Sequence, residues 1–95
     1  MVELFPFDPA EHLDTVDDIL YYLQAAMECN DAKHIANALG VVARSKGMTE
    51  IAKKTGLSRQ ALYNALSESG NPTLETLTSV LTVLGLELTV QKKAA

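Results

Sequence analysis

The sequence is poor in the features that build disulfide frameworks, zinc sites and membrane spans. Cys29 is its single cysteine, so no internal disulfide can form, and the spacing of cysteines and histidines that binds zinc is missing. No apolar run approaches the roughly 18 to 20 residues of a membrane span, and the N-terminus lacks the basic stretch and apolar run of a signal peptide. We therefore expect a cytoplasmic protein that does not engage a membrane.

Aromatic residues, glycine and proline are also scarce. With two Phe, three Tyr and no Trp the core must be largely aliphatic, and five Gly and three Pro in 95 residues allow helices to dominate one modest domain. Candidate catalytic groups are equally sparse, because His12, His34 and Cys29 are isolated from one another and no glycine-rich phosphate-binding loop is present. We therefore expect no metal, no cofactor and no enzymatic activity.

Basic residues are missing from the first third of the chain. Residues 1–31 carry eight Asp or Glu and no Lys or Arg, whereas residues 32–95 carry eight Lys or Arg and four Asp or Glu. The formal charge of −4 at pH 7 is therefore the sum of an acidic arm of −8 and a basic body of +4. A phosphate group responds to the electrostatic field of the surface that it contacts, rather than to the net charge of the whole protein. The negative net charge therefore does not exclude binding to nucleic acid. A single carboxylate on a surface helix is most simply explained as a solvated charge, but eight without a compensating base are harder to dismiss in this way.

Residues 48–67 have the pattern of a helix-turn-helix unit. Gly56 stands where the chain needs a positive φ to leave a first short helix, and Leu57 follows at the corner. Thr49 and Ser58 are placed to cap the two helices. A unit of this shape can insert its second helix into the major groove of DNA. The alternative is a helix-turn-helix that serves protein contacts alone.

The outer face of the second helix carries residues suited to base recognition. We expect this helix to bury Ala61, Leu62 and Ala65 and to turn its other side outward. Arg pairs with guanine and Gln or Asn with adenine through two hydrogen bonds, and Tyr can contact a sugar or a thymine methyl group. The predicted base-reading residues are Arg59, Gln60, Tyr63 and Asn64. The predicted phosphate contacts, which lie at helix ends and turns or carry positive charge, are Thr49, Ser58, Ser67, Asn71, Thr73, Lys46, Lys53 and Lys54.

Further helices are predicted on both sides of this unit. Asp14 is expected to cap a first helix, and Asp31 a second helix that ends at Gly47. Thr73 is expected to cap a last helix that ends at Gly85. The helical period predicts buried stripes of Val16, Ile19, Leu20, Leu23 and Met27 in the first helix, Ile35, Ala38, Leu39 and Val42 in the second, and Leu74, Leu77, Val80, Leu81 and Leu84 in the last.

Residues 86–91 alternate strictly between apolar and polar side chains, which is typical of a strand. No other segment has this pattern, so we predict that the strand pairs with its copy in a second chain. The resulting homodimer would have the two-fold symmetry that a palindromic operator requires, and the alternative is a frayed tail.

The predicted fold is all-α, a five-helix lambda-repressor-like helix-turn-helix domain with an N-terminal extra helix and one C-terminal β-strand. We divide the chain into an acidic arm with the first helix at 1–31, a helix-turn-helix DNA-binding domain at 32–85, and a strand and tail at 86–95. Together these segments are expected to form one compact domain.

Strings along most of the chain resemble one known family. They are Phe7-Asp8-Pro9-Ala10-Glu11, Ala36-Asn37-Ala38-Leu39-Gly40, Ala43-Arg44-Ser45-Lys46-Gly47-Met48-Thr49, Thr55-Gly56-Leu57-Ser58-Arg59, Leu62-Tyr63-Asn64-Ala65-Leu66-Ser67 and Gly70-Asn71-Pro72-Thr73. With these strings, residues 5–90 resemble the addiction-module antidote proteins, HigA-like antitoxins with a lambda-repressor-type helix-turn-helix. The resemblance implies a type II antitoxin that binds a small basic toxin of the RelE/ParE superfamily, HigB-like, and represses its own operon through the second helix of the unit.

The resemblance also offers a partner for the acidic arm. Ribonuclease-type toxins carry basic surfaces for RNA, and an acidic segment with aromatic anchors could cover such a surface. Packing of the arm on its own domain is the alternative. The predicted toxin-binding residues are Phe5, Phe7, Asp8, Glu11, Asp14, Asp17, Asp18, Tyr21 and Tyr22.

Two other functions stay open at this stage. One is a stand-alone transcriptional regulator without a toxin, in which the acidic part is only a structural cap. The other is an interaction module whose helix-turn-helix no longer binds DNA.

Overall fold

The computed structural model describes residues 13–94, which form five helices. The helix α1 packs against α2, α2 also contacts α3 and α4, and α5 packs against α3. The predicted number of helices is confirmed, and α2 is the element on which both the acidic helix and the pair α3 and α4 rest. The helices are α1 (Val16–Glu28), α2 (Ala32–Lys46), α3 (Met48–Thr55), α4 (Arg59–Ala65) and α5 (Leu74–Val83). The predicted toxin contacts Phe5, Phe7, Asp8 and Glu11 lie outside the described residues.

The core is aliphatic, as the composition predicts. Every helix contributes at least one large side chain to it, and no polar or charged residue among residues 13–94 is buried. Burial of one such side chain contributes about 1.5–3 kcal/mol. The largest fully buried side chains are Ile19, Leu39, Val42, Ile51, Leu62, Leu66 and Val80. None of the helices between residues 13 and 94 is long and apolar enough to cross a membrane.

Two residues that the helical period assigns to the core lie on the surface instead. Val16 is 49% exposed and Leu74 is 72% exposed. Each is the first residue of its helix, at an end that the neighbouring helices do not cover. The buried stripes of α1 and α5 therefore begin one turn later, with Ile19 and Leu77.

Side-chain caps fix most of the helix starts. Asp31 and Thr73 cap α2 and α5 as predicted, each accepting a hydrogen bond from a backbone N–H at 3.1 Å. The prediction that Asp14 caps α1 is wrong, because the cap is Thr15. The Thr15 hydroxyl accepts from the N–H of Asp18, and the Asp18 carboxylate accepts from the N–H of Thr15. This reciprocal capping box satisfies two backbone donors at once, which favours Thr15 over its neighbour.

The predicted strand is absent from the single chain. Residues 86–94 form neither helix nor strand. A strand needs a neighbouring strand to complete its hydrogen-bond ladder, and residues 13–94 supply none. The N–H of Leu86 donates to the carbonyl of Leu81 at 2.8 Å, and beyond it the apolar side chains of Leu88 and Val90 are exposed. Pairing of this segment with a second copy stays a prediction.

Candidate nucleic-acid interface

A three-residue connection from Gly56 to Ser58 joins α3 to α4. Gly56 has φ 78° and ψ 7°, the left-handed conformation that the sequence predicts and that glycine adopts at little steric cost. The Thr55 hydroxyl donates to the carbonyl of Ile51 at 2.8 Å and accepts from the N–H of Leu57 at 3.3 Å. Leu57 is half-buried and packs against the core. These contacts fix the direction in which the chain leaves α3, and with it the position of α4.

The two helices of this unit start differently. Ser58 caps α4 as predicted, because its Oγ accepts a hydrogen bond from the N–H of Ala61 at 3.0 Å. The prediction that Thr49 caps α3 is wrong, since α3 begins at Met48 and its N-cap, Gly47, makes no side-chain hydrogen bond. Gly47 ends α2 and starts α3, so no residue is left between the helices for a side-chain cap. Thr49 is exposed in the first turn of α3, where a phosphate contact stays a prediction.

The helix α4 presents an apolar side to the core and a polar side to solvent. Leu62 and Leu66 are fully buried, and Ala65 is half-buried. The prediction that Ala61 is buried is wrong, because it is exposed. Leu62 in the helix and Leu66 at its C-cap are one turn apart, and with Ala65 they form the side of α4 that packs against the core. The four predicted base-reading residues are all exposed: Arg59, Gln60, Tyr63 and Asn64.

These four exposed side chains form two pairs, each joining residues one turn apart. The Nε2 group of Gln60 donates a hydrogen bond to Oδ1 of Asn64 at 3.1 Å. The guanidinium carbon of Arg59 lies 6.0 Å from the centre of the Tyr63 ring, at the outer range of a cation–π contact. Residues at i and i+4 are neighbours on a helix surface. The sequence pattern predicts the common face, and the structure adds that its members are coupled in pairs.

The end of α4 is held against α2 at Gly40, a residue that the sequence reasoning missed. A Cβ atom at this position would overlap the backbone carbonyl oxygen of Leu66. Gly40 is buried, and so are Ala36 one turn before it and Ala43 almost one turn after it. These small residues recur at helical spacing in the sequence, and this pattern could have predicted that another segment approaches α2 closely. Gly40 therefore sets how near α2 and the exit of α4 can come.

Several predicted phosphate contacts already have partners within the protein. The Lys54 Nζ atom lies 3.4 Å from a carboxylate oxygen of Glu50, and both side chains are exposed. Such a surface ion pair is weak, so Lys54 can exchange this partner for a phosphate. The Ser67 hydroxyl donates to a backbone carbonyl at 3.2 Å, and the Thr73 hydroxyl serves as a cap. Residues 46–64 carry four basic side chains and one acidic side chain. Lys46, Lys53 and Asn71 are exposed.

The described part of the acidic arm turns most of its charges outward. Residues 13–31 carry five acidic side chains and no Lys or Arg. Asp18 is half-buried and belongs to the capping box of α1. The other four acidic residues, Asp14, Asp17, Glu28 and Asp31, are exposed.

The adjacent tyrosines of α1 differ in environment. Tyr21 is 64% exposed, whereas Tyr22 packs against the core. Only one of the two adjacent tyrosines therefore packs against the core. Burial raises the pKa of Tyr22 above its ordinary value, and the positive charge of Arg44 on α2 offsets part of that rise. Of the two, Tyr21 is the one available to a partner.

The described residues offer exposed surfaces rather than an enclosed site. No group of His, Cys, Asp and Glu between residues 13 and 94 is arranged to hold a metal ion, and Cys29 is exposed with a free thiol. A shallow groove between α3 and α5 is lined largely by hydroxyl groups. Those of Thr55, Thr78 and Thr82 donate to carbonyls of their own helices. The candidate sites are therefore the outer face of α4 and the exposed side of α1.

Comparisons with known proteins place this chain among addiction-module proteins. A family model described as "Probable addiction module antidote protein" matches residues 3–92. A protein of Haemophilus influenzae, described only as uncharacterized, is 41% identical over 90 residues, which cover 95% of this chain and 93% of the relative. No solved structure matches the chain. The family match extends from the acidic arm through both helices of the α3–α4 unit to the C-terminal segment.

Proposed function

This chain belongs to the family of probable addiction module antidote proteins, and we propose that it is the antitoxin of a type II toxin–antitoxin module. It binds and neutralises a small basic toxin of the RelE/ParE superfamily, HigB-like, and represses its own operon by sequence-specific DNA binding as a homodimer in the cytoplasm. It acts by binding alone, without catalysis. The proposal rests above all on two exposed surfaces of different chemistry, the acidic side of α1 and the polar face of α4, on separate helices.

The polar face of α4 supports the DNA-binding part of the proposal. Two short helices with a tight glycine connection have the shape of a helix-turn-helix, whose second helix enters the major groove. Arg59, Gln60 and Asn64 are exposed on that second helix and carry the donors and acceptors that match base edges. Exposed Lys46 and Lys53 lie before and within the first helix of the unit, where they can contact phosphates.

The small number of basic side chains supports the homodimer. Each neutralised phosphate adds to affinity, so a monomer with few lysines binds DNA weakly and a dimer doubles its contacts. Residues 86–91 form neither helix nor strand and expose Leu88 and Val90, and a second copy could cover this segment by strand pairing. Two-fold symmetry would then match two half-sites of an operator.

The exposed side of α1 supports the toxin-binding part. Asp17, Tyr21, Gln24 and Glu28 follow one another at intervals of four, three and four residues, and all four are exposed. This spacing places them along one face of the helix. An exposed aromatic ring between two carboxylates is suited to a basic protein surface, because the ring supplies contact area and the charges supply orientation.

The DNA-binding part is tested with the upstream DNA of the gene itself. Fluorescence anisotropy should show specific binding by the wild type, and Arg59→Ala should weaken it by about 1–3 kcal/mol. Lys33→Ala removes one positive charge from the exposed start of α2 and serves as the matched control. An unchanged affinity in Arg59→Ala would remove this residue from the interface. Failure of the wild type to bind would leave a protein-interaction module.

The toxin-binding part predicts that a short reading frame beside this gene encodes a basic protein, and it is tested with that protein. Co-expression should rescue growth, and the two proteins should co-purify. Deletion of residues 1–12, which keeps the buried Leu13, should weaken the complex if the arm contributes, whereas unchanged binding would assign the contact to α1 alone. If no neighbouring basic protein binds the chain, a stand-alone regulator is the better description.

A further inference from the structure

We infer that only two of the four residues on the outer face of α4, Arg59 and Gln60, read bases, and that Tyr63 and Asn64 are positioning residues that hold them in place. The inference rests on the proposed DNA-binding function and specifies how the same face distinguishes one sequence from another. Its basis is the pair of contacts between Gln60 and Asn64 and between Arg59 and Tyr63.

The hydrogen-bonding groups of the first pair assign different roles to its members. Gln60 uses one of its two Nε2 hydrogens in the 3.1 Å bond to Oδ1 of Asn64. It keeps a second hydrogen and its Oε1, which together form the donor and acceptor that match N7 and the N6 amino group of adenine. Asn64 uses one lone pair of Oδ1 for Gln60; its second lone pair and its Nδ2 group remain, but it lies one turn beyond the N-terminal residues that chiefly contact base edges. Gln60 is therefore the reader of this pair, and Asn64 sets the orientation of its amide.

The second pair divides in the same way. A guanidinium group has five N–H donors, and a cation–π contact attracts its charge without accepting all of these hydrogens. Arg59 can therefore remain against Tyr63 and still donate to O6 and N7 of guanine. A side chain held in advance loses less conformational freedom when it binds. Tyr63 thus acts by restraining Arg59 rather than by touching a base itself.

The position of the four residues along α4 agrees with this division. Arg59 and Gln60 are the first two residues of the helix, and their partners lie one turn farther along. Recognition helices in helix-turn-helix proteins contact base edges chiefly with their N-terminal residues. We therefore expect a preferred half-site to contain one guanine, read by Arg59, and one adenine, read by Gln60. The preference for the guanine should depend on Tyr63, and the preference for the adenine should depend on Asn64.

Selection from a randomised duplex library with the full-length protein tests the division. Gln60→Ala should reduce the preference for adenine at one base pair by roughly 5- to 150-fold. Asn64→Ala should lower the preference at that same base pair by roughly 2- to 10-fold, and the double variant should be no worse than Gln60→Ala. Tyr63→Ala should weaken the guanine preference, whereas Tyr63→Phe, which keeps the ring, should retain it. Ala61→Ser, at an exposed site on the same helix, is the control.

A second measurement needs no DNA. In the free protein, nitrogen relaxation of the Gln60 side-chain amide should show greater mobility after Asn64→Ala, while the backbone spectrum confirms an intact fold. Two results would overturn the inference and leave DNA binding in place: Asn64→Ala erasing the preference at a different base pair, or the effects of Gln60→Ala and Asn64→Ala adding at one pair. A wild type that selects no sequence would overturn the DNA-binding function itself.

Discussion

The helix α1 and the α3–α4 unit both rest on α2, yet they offer solvent opposite chemistry. Residues 13–31 carry five acidic and no basic side chains, whereas residues 46–64 carry four basic side chains and one acidic. Below their surfaces the two regions are alike, because each is anchored by fully buried aliphatic side chains such as Ile19 in α1 and Leu62 in α4. We therefore expect the choice of partner to depend on exposed side chains, and the packing of both regions against α2 to depend on buried side chains. Substitutions at exposed positions should change binding at one surface while leaving binding at the other surface and the free energy of unfolding nearly unchanged.

The largest effect is expected where the α3–α4 unit is anchored. Leu62→Ala removes a side chain with no solvent exposure, so it should lower the free energy of unfolding by about 2–5 kcal/mol. Urea unfolding followed by circular dichroism measures this loss. Leu74→Ala, the same change at a residue that is 72% exposed, is the matched control and should cost less than about 1 kcal/mol. Equal losses in the two variants would mean that Leu74 is a core residue after all.

The next effect should fall on the acidic region alone. The double change Asp17→Lys and Glu28→Lys places positive charge on the exposed face of α1. Binding to a basic toxin should weaken by about 1–3 kcal/mol, because like charges then face each other across the interface. Calorimetric titration with the toxin measures this loss, while binding to operator DNA should be unchanged.

The control for that experiment has the same change in net charge. Glu68→Lys with Glu75→Lys alters two exposed acidic residues outside α1. Toxin affinity should then stay close to that of the wild type. An equal loss in both double variants would show that toxin binding depends on total charge and not on the face of α1.

Features governed by local rules could be predicted from the sequence. The left-handed conformation of Gly56, the caps at Ser58 and Thr73, and the outward face of α4 depend on residues a few positions apart. The misplaced cap of α1 is a local error as well, because two suitable residues stand side by side and only the reciprocal contact of Thr15 with Asp18 decides between them.

Features that depend on distant contacts could not be predicted in this way. The helical period assigns Leu74 to the buried stripe of α5, but it does not show where the covering helices stop, and Leu74 is exposed. The close approach of Gly40 to the end of α4 joins segments far apart in the sequence. Alternation over residues 86–91 indicates an extended shape, yet a strand exists only with a partner, and the single chain provides none between residues 13 and 94.

A smaller effect should distinguish phosphate contacts from other positive charges. Lys53→Ala removes an exposed charge from α3, so the slope of log affinity for DNA against log salt should fall by about 1. Anisotropy titrations at several salt concentrations give this slope. Lys33→Ala changes the net charge equally but lies at the start of α2, and its slope should match the wild type. A reduced slope in both variants would mean that the basic body attracts DNA without a defined contact surface.

The smallest effect is expected where α1 meets α2, at Tyr22. Burial raises the pKa of Tyr22 above its ordinary value of 10.0, so the folded state holds the phenol proton more tightly than the unfolded state. The resulting contribution to stability is fully present below about pH 10 and is lost as the pH rises through the folded-state pKa. Urea unfolding between about pH 8 and pH 11 should therefore show a steeper loss in the wild type than in Tyr22→Phe. Tyr21→Phe, next to it on the exposed side of α1, is the control, and its loss of stability with pH should match that of the wild type. If Tyr22→Phe lost stability as steeply as the wild type, the alkaline instability would have to arise from other groups.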